Sequence, residues 1–184
     1  MTRVVTPLSD GELHIPATEL LNQDLPAEFL DADGLMGVNF GGFLIRTPEH
    51  TVVVELPGDP CARAPRPLAD ASALHDGEGA EIVPGVTLRL APGHTPGHCI
   101  VDLGRDRVVL LADAAHNPAQ LLRDDYASVT DVDPRLAQRT RAALAEELTD
   151  SGALITMTHD AGNRLGRLER VDGARRWAYA PSIE

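Results

Sequence analysis

Three times in this chain a short apolar run stops and a metal-binding or acid–base side chain follows at once. "TLRLAPGHTPGH" ends in His94 and His98, "VVLLADAAH" in Asp113 and His116, and "ALITMTHD" in His159 and Asp160. Apolar runs of this length bounded by Gly and Pro read as buried strands. Strands of one sheet carry their ends to a common rim, on rigid supports suited to a preorganised site. The chain is therefore expected to build a sheet core with a polar cluster along one edge.

The rest of the sequence fits that core. "GGFLIRTPEHTVVVELPGD" reads as a hairpin, with Phe43 to Arg46 and Thr51 to Leu56 joined by "TPEH". Before it, only Glu12 to Pro16 reads as strand-like. Val86, Leu88 and Leu90 alternate with Thr87 and Arg89 as in a half-buried strand, and "HCIVDLG" and "RVVLLADAAH" form a second hairpin across "GRDR". "DVDPRLAQRTRAALAEELTDSG" is the one long helix. Asp133 is placed to cap it, Pro134 is at the first position, and Gly152 marks its end. Leu136, Thr140, Leu144 and Leu148 repeat every four residues as its expected buried stripe. "GRLERVDGARRWAYAP" is a hairpin turning on Asp172-Gly173. Between Pro57 and Gly79 four prolines and three glycines follow no period. This stretch is expected to be a long loop, with a short helix near Leu68 to Leu74. At 184 residues the chain reads as a single domain, 1–184, able to bury roughly 70% of its unfolded surface.

A formal net charge of −12 argues against nucleic acid or an anionic membrane as partner, since phosphates are bound by clustered Lys and Arg. The arginines are scattered, apart from Arg164, Arg167, Arg170, Arg175 and Arg176. Two cysteines, Cys61 and Cys99, make no disulfide framework. With no apolar run near the ~20 residues of a membrane span and no signal-like N-terminus, a cytoplasmic location is the expectation.

Each site residue also has a plainer reading. A histidine beside Gly and Pro in a turn is commonly a solvated loop residue, which applies to His94 and His98. Asp113 at a strand end is placed to cap a turn, and His159 to be a hydrogen-bonded core histidine. His116 and Asp160 read as neighbours of ligands. His14, His50 and His75 are assigned no role. The repetition at three strand ends weighs for a site.

The segments "EIVPGVTLRLAPGHTPGHCIVDL", "VVLLADAAHNPAQL", "DPRLAQRTRAALAEEL" and "ALITMTHD" together resemble the metallo-β-lactamase superfamily. "DAAHNPAQL" makes the lactonase and organophosphate-hydrolase branch the most similar. The resemblance spans Gly11 to about Arg170. It implies an α+β fold, the αββα sandwich, reduced here by loss of internal strands and helices. It implies His98 as ligand of one metal, Asp113 as the carboxylate bridging two, and His159 as ligand of the second. Ala112 stands where the family usually has glycine before the aspartate.

One departure is large. The family's His-x-His-x-Asp-His motif, which supplies two ligands to each metal, occurs nowhere in this chain. From "VVVELPGDP" the sequence passes through the Pro-rich stretch straight to "DGEGAEIVPG", as in a relative with an internal loss, natural or engineered. Without the motif a dinuclear site lacks the ligands that zinc pairs need. One metal per chain at most, held by His98, Asp113 and His159, is the expected remainder: zinc, or manganese or iron.

Two chemistries stay open at this point, beside a third reading without catalysis. The first is a metal-dependent hydrolase of a small ester or lactone. One metal acidifies water and polarises the carbonyl, Asp113 orients the nucleophile, and His116 or Tyr126 assists the leaving oxygen. The second is a metal-free cyclase, isomerase or dehydratase in which His94, His98, Asp113 and His159 do acid–base work. The third is a small-molecule-binding module. Loss of covering elements exposes apolar sheet, so a homodimer is expected.

Overall fold

β-Branched and apolar residues placed at alternate positions make two sheets that share one apolar layer. Residues 4–54, 79–104 and 107–181 are described by the computed structural model. The Leu68–Leu74 helix, Cys61, His75 and nearly all of the 57–79 loop lie outside the described residues. The first sheet has β1 (Val4–Ile15), β2 (Met36–Arg46) and β3 (Thr51–Val54), antiparallel and in that order. The turn at "TPEH" forms as expected: the Thr47 N–H donates to the His50 carbonyl at 2.8 Å, and the His50 N–H to Thr47 Oγ1 at 2.9 Å. β1 is much longer than the sequence suggested, pairing from Val4 opposite Arg46 to Ile15 opposite Met36. Pro7 has no donor but sits on an edge strand, where none is needed. A register shift between Ser9 and Gly11 breaks the alternation that would have announced the strand.

The second sheet has seven strands: β4 (Ala80–Val83), β5 (Val86–Leu90), β6 (Cys99–Asp102), β7 (Val108–Leu110), β8 (Leu154–Thr156), β9 (Gly166–Val171) and β10 (Ala174–Tyr179). Its order is β10-β9-β8-β7-β6-β5-β4, antiparallel except for the parallel pair β7–β8. A parallel pair needs a long crossover. Here α1 (Ala119–Leu122) and α2 (Pro134–Leu148) supply it, so β7 and β8 end at the same edge.

The Asp133 carboxylate caps α2, accepting the Leu136 N–H at 2.9 Å, and Pro134 opens it. The buried face is Ala137, Arg141, Leu144, Ala145 and Leu148 rather than the stripe through Leu136 and Thr140. The face is rotated because Arg141 goes inside, while the half-buried Thr140 donates its hydroxyl to the Pro92 carbonyl at 2.7 Å. The helix also stops before Gly152: Thr149 ends it, its Oγ1 donating to the Ala145 carbonyl at 2.6 Å.

Val109 packs with Ile100, Leu111, Leu144, Leu148, Ile155, Met157 and Leu168, between the large sheet and α2. Its neighbours Val108 and Leu110 face the other way, packing with Val86, Val101 and Leu103 against Phe43 and Ile45 of β2. This is the period-two division of a strand buried on both faces. The layers run helix, sheet, sheet, so the α+β class holds. Among the described residues α2 is the only α-helix longer than four residues, and none is long and apolar enough to cross a membrane.

Candidate metal centre

β7 delivers Asp113 to the rim through a tight turn. Ala112 adopts φ +48° there, a left-handed conformation that costs a residue with a Cβ roughly 1–2 kcal/mol. The Asp113 Oδ1 lies 3.0 Å from His159 Nε2 and 4.0 Å from His116 Nε2. One ligand atom from each of Asp113, His116 and His159 can be chosen so that all lie within 4.8 Å of one another. The His116 and His159 rings stack, with centroids 5.2 Å apart and planes 7° from parallel.

The tautomer of His159 is fixed by its neighbour in the small sheet. Its Nδ1 lies 2.7 Å from the backbone carbonyl of Asn39. A carbonyl only accepts, so Nδ1 carries the hydrogen and Nε2 turns a lone pair toward the Asp113 oxygen. Two electron-rich atoms facing each other at 3.0 Å require a cation between them, a proton or a metal ion. Asn39 is locked in turn, its Nδ2 donating to the Thr158 carbonyl and to Asn163 Oδ1, both at 3.1 Å, while its Oδ1 accepts from Ser9 Oγ at 2.7 Å. The sequence reading passed over Asn39; the signal was one amide inside the apolar run "MGVNFGGF".

His116 is buried, and burial drives its pKa down to about 3, so the ring is neutral and suited to a metal. Its backbone N–H and that of Asn117 both donate to Gln120 Oε1, at 2.7 and 3.3 Å, which fixes the loop that carries it. His98 stands beside the group rather than in it. Its Nε2 accepts the Asp113 N–H at 3.1 Å, and burial lowers its pKa.

His94 takes the opposite flank, with Nε2 3.5 Å from Asp113 Oδ2 and Nδ1 3.4 Å from Asp131 Oδ1. Burial pushes the Asp131 carboxyl up, but His94 and Arg141 outweigh it and hold the group below the ordinary range. Asp131 and Arg141 escaped the sequence reading, because charges in a loop and on a helix ordinarily face solvent. Tyr126 is not brought to the cluster. It is buried with Leu21, Leu25, Met36 and Ala119, and its hydroxyl donates to the Asp24 carbonyl at 3.2 Å. Asp160 points away, accepting from the Tyr179 hydroxyl at 3.1 Å, with its pKa raised by burial to about 6. His14 pairs with Asp31 at 2.6 Å, apart from the site.

Residues 9–159 match the family model of the metallo-beta-lactamase superfamily. No curated protein matches the chain. Among solved structures, AidC, a dizinc quorum-quenching lactonase bound to its product, has a TM-score of 0.72 at 14% identity, over 99% of this chain and 96% of that one. A probable metal-dependent hydrolase from Staphylococcus aureus gives 0.68 at 11%, over 99% and 98%. The hydrolase AbOPH of the beta lactamase superfamily gives 0.67 at 15%, over 99% and 95%. At these identities the likeness is one of fold.

Proposed function

This chain belongs to the metallo-β-lactamase superfamily, and from that premise we propose that it is a hydrolase of a small ester or lactone that works with one divalent ion. The observation that carries the reading is His159 Nε2 lying 3.0 Å from Asp113 Oδ1 while its Nδ1 is engaged by the Asn39 carbonyl, with neutral His116 alongside.

The donor set fits one ion and not two. Asp113, His116 and His159 would hold it, two imidazoles and one carboxylate that leave positions open for water and substrate. Zinc, manganese and iron(II) all suit such a set. A bound ion would supply the Lewis acid that polarises the carbonyl and acidifies water. The chain's own part is orientation. The Asn39 carbonyl points His159, Gln120 fixes the His116 loop, and Asp113 orients the attacking water. The net charge of −12 favours a neutral substrate over an anionic one.

His116 takes the third ligand place here and His98 becomes the residue that fixes the backbone of Asp113, because the Asp113 N–H occupies His98 Nε2. His116→Ala then abolishes metal binding, whereas His98→Ala weakens it; the reverse result would restore His98 as ligand. Tyr126 has no part in the proposal, its hydroxyl being engaged at Asp24. A homodimer is proposed through the outer face of the small sheet. The β1–β2 and β2–β3 registers put exposed Val4, Leu13 and Val53 on that one face. Sedimentation of wild type and Leu13→Glu tests it.

One observation also favours a metal-free reading, since the same 3.0 Å His159–Asp113 contact is what an acid–base pair requires. Assay of a lactone and ester panel, before and after chelator treatment and after zinc or manganese is returned, separates the two. Activity that is lost and restored supports the hydrolase. Turnover unaffected by chelation overturns it in favour of acid–base chemistry.

A further inference from the structure

The Asp113 carboxylate has two oxygens, and the structure gives them different company. Oδ1 faces His159 and His116, at 3.0 and 4.0 Å. Oδ2 faces His94 Nε2, at 3.5 Å. His94 is held from behind: its Nδ1 lies 3.4 Å from Asp131 Oδ1, and Asp131 Oδ2 accepts from Arg141 Nη1 at 3.0 Å and from the Ser128 N–H at 3.3 Å. The Asp131 and Arg141 side chains are 0% and 3% exposed. The backbone joins the same two loops, the Val132 N–H donating to the His94 carbonyl at 3.0 Å and the Asp133 N–H to the Gly93 carbonyl at 2.9 Å. Arg141, Asp131, His94 and Asp113 thus form one series that runs from the buried face of α2 to the rim.

We propose that this series positions Asp113, holding its carboxylate through the His94 contact at Oδ2 so that Oδ1 stays turned toward His159 and His116. The inference rests on the one-metal reading above. The His94 contact at Oδ2, mounted on the buried Asp131–Arg141 pair, sets the direction in which Oδ1 points. His94, Asp131 and Arg141 are positioning residues, because they act on the ion through Asp113. A buried ion pair of this kind is a better device for fixing geometry than for adding stability. That accounts for its place directly behind the ligand rather than elsewhere in the core.

The test is zinc affinity, by competition with a chromophoric chelator, together with the visible spectrum of the cobalt(II)-loaded protein. Wild type, His94→Gln, Asp131→Asn and the double variant are compared. His94→Gln leaves the Asp131–Arg141 pair intact, and it is expected to weaken zinc binding about 10- to 100-fold, as loss of an outer partner does, and to shift the cobalt bands. Asp131→Asn should give the same loss, and the double variant no more than either, because the two act in series. Asp131→Asn leaves Arg141 buried beside a neutral amide and can unfold the chain, in which case His94→Gln decides alone. A wild type that binds one ion while His94→Gln matches it in affinity and spectrum overturns the series and leaves the one-metal reading standing. Losses that add in the double variant also overturn it. A wild type that binds no ion overturns both.

Discussion

Arg141 and Arg175 both end beside carboxylates, but only one of them has a carboxylate partner that is buried with it. Arg141 is inside, donating to Asp131 at 3.0 Å and toward the carbonyls of Ala114 and Tyr126 at 3.4 Å each. Arg175, with Arg170, shares Glu146, a residue whose side chain is 64% exposed. Water screens the surface group, so its arrangement does little for the fold. The buried pair has lost its water, and its two members depend on each other. α2 supplies one member of each pair, Arg141 from its buried face and Glu146 from its exposed one, and a count of charges along the helix does not separate them.

The comparison is broken most severely by Asp131→Ala, which leaves the Arg141 guanidinium buried without its carboxylate. A loss of ~3–5 kcal/mol is expected, read from urea unfolding. A loss as small as that at a surface pair would mean that Arg141 reaches water. Gly93→Ala strikes the joint between the His94 loop and α2. At φ +134° a Cβ there would lie 2.2 Å from the Ala137 backbone nitrogen. About 3 kcal/mol of destabilisation should follow, from overpacking and strain together.

Asp160 sharpens the contrast, being a buried carboxylate whose cation, the exposed Arg164, stands off at 3.9 Å. The folded chain holds its proton to about pH 6, while the unfolded chain releases it near the ordinary carboxylate value of 3.8. Between those values the native state binds more protons, so this group's stabilisation is complete below the lower value and fades as pH rises through the upper one. The stability of Asp160→Asn relative to wild type should therefore climb across that window, by on the order of 2–3 kcal/mol. A flat difference in unfolding midpoints at pH 4, 5 and 6 would contradict the burial argument. Ala112→Gly relieves the left-handed turn before Asp113 and should raise the melting temperature, for a gain of up to about 1 kcal/mol; a drop would show that the methyl group is needed there. Glu146→Ala, at the exposed end of the comparison, should cost less than about 1 kcal/mol. A larger effect would promote the surface network to a structural element.

Much of this was legible in the residues, for reasons that differ from element to element. The strand ends announced themselves because the same pattern, an apolar run that stops at a potential ligand, occurs three times, and Asp113, His116 and His159 do converge. The cap and first position of α2 were legible because Asp133 and Pro134 act locally. The stripe of α2 was misjudged by one position, since no local rule puts an arginine inside. β1 was mostly invisible because Pro7 and the shift beside Gly11 interrupt its period. Asn39 and Asp131 take their roles from partners far along the chain. The orientation of His98 depends on the backbone of Asp113, which no spacing rule reports.

The account is tested most directly by counting metal. Protein purified without chelator or affinity tag is dialysed with excess zinc, and bound metal per chain is measured by elemental analysis for wild type, Asp113→Ala and His159→Ala. The account predicts about one ion per chain in wild type, as the three-ligand set allows, and none above background in either variant. Two ions per chain, or none, would contradict it.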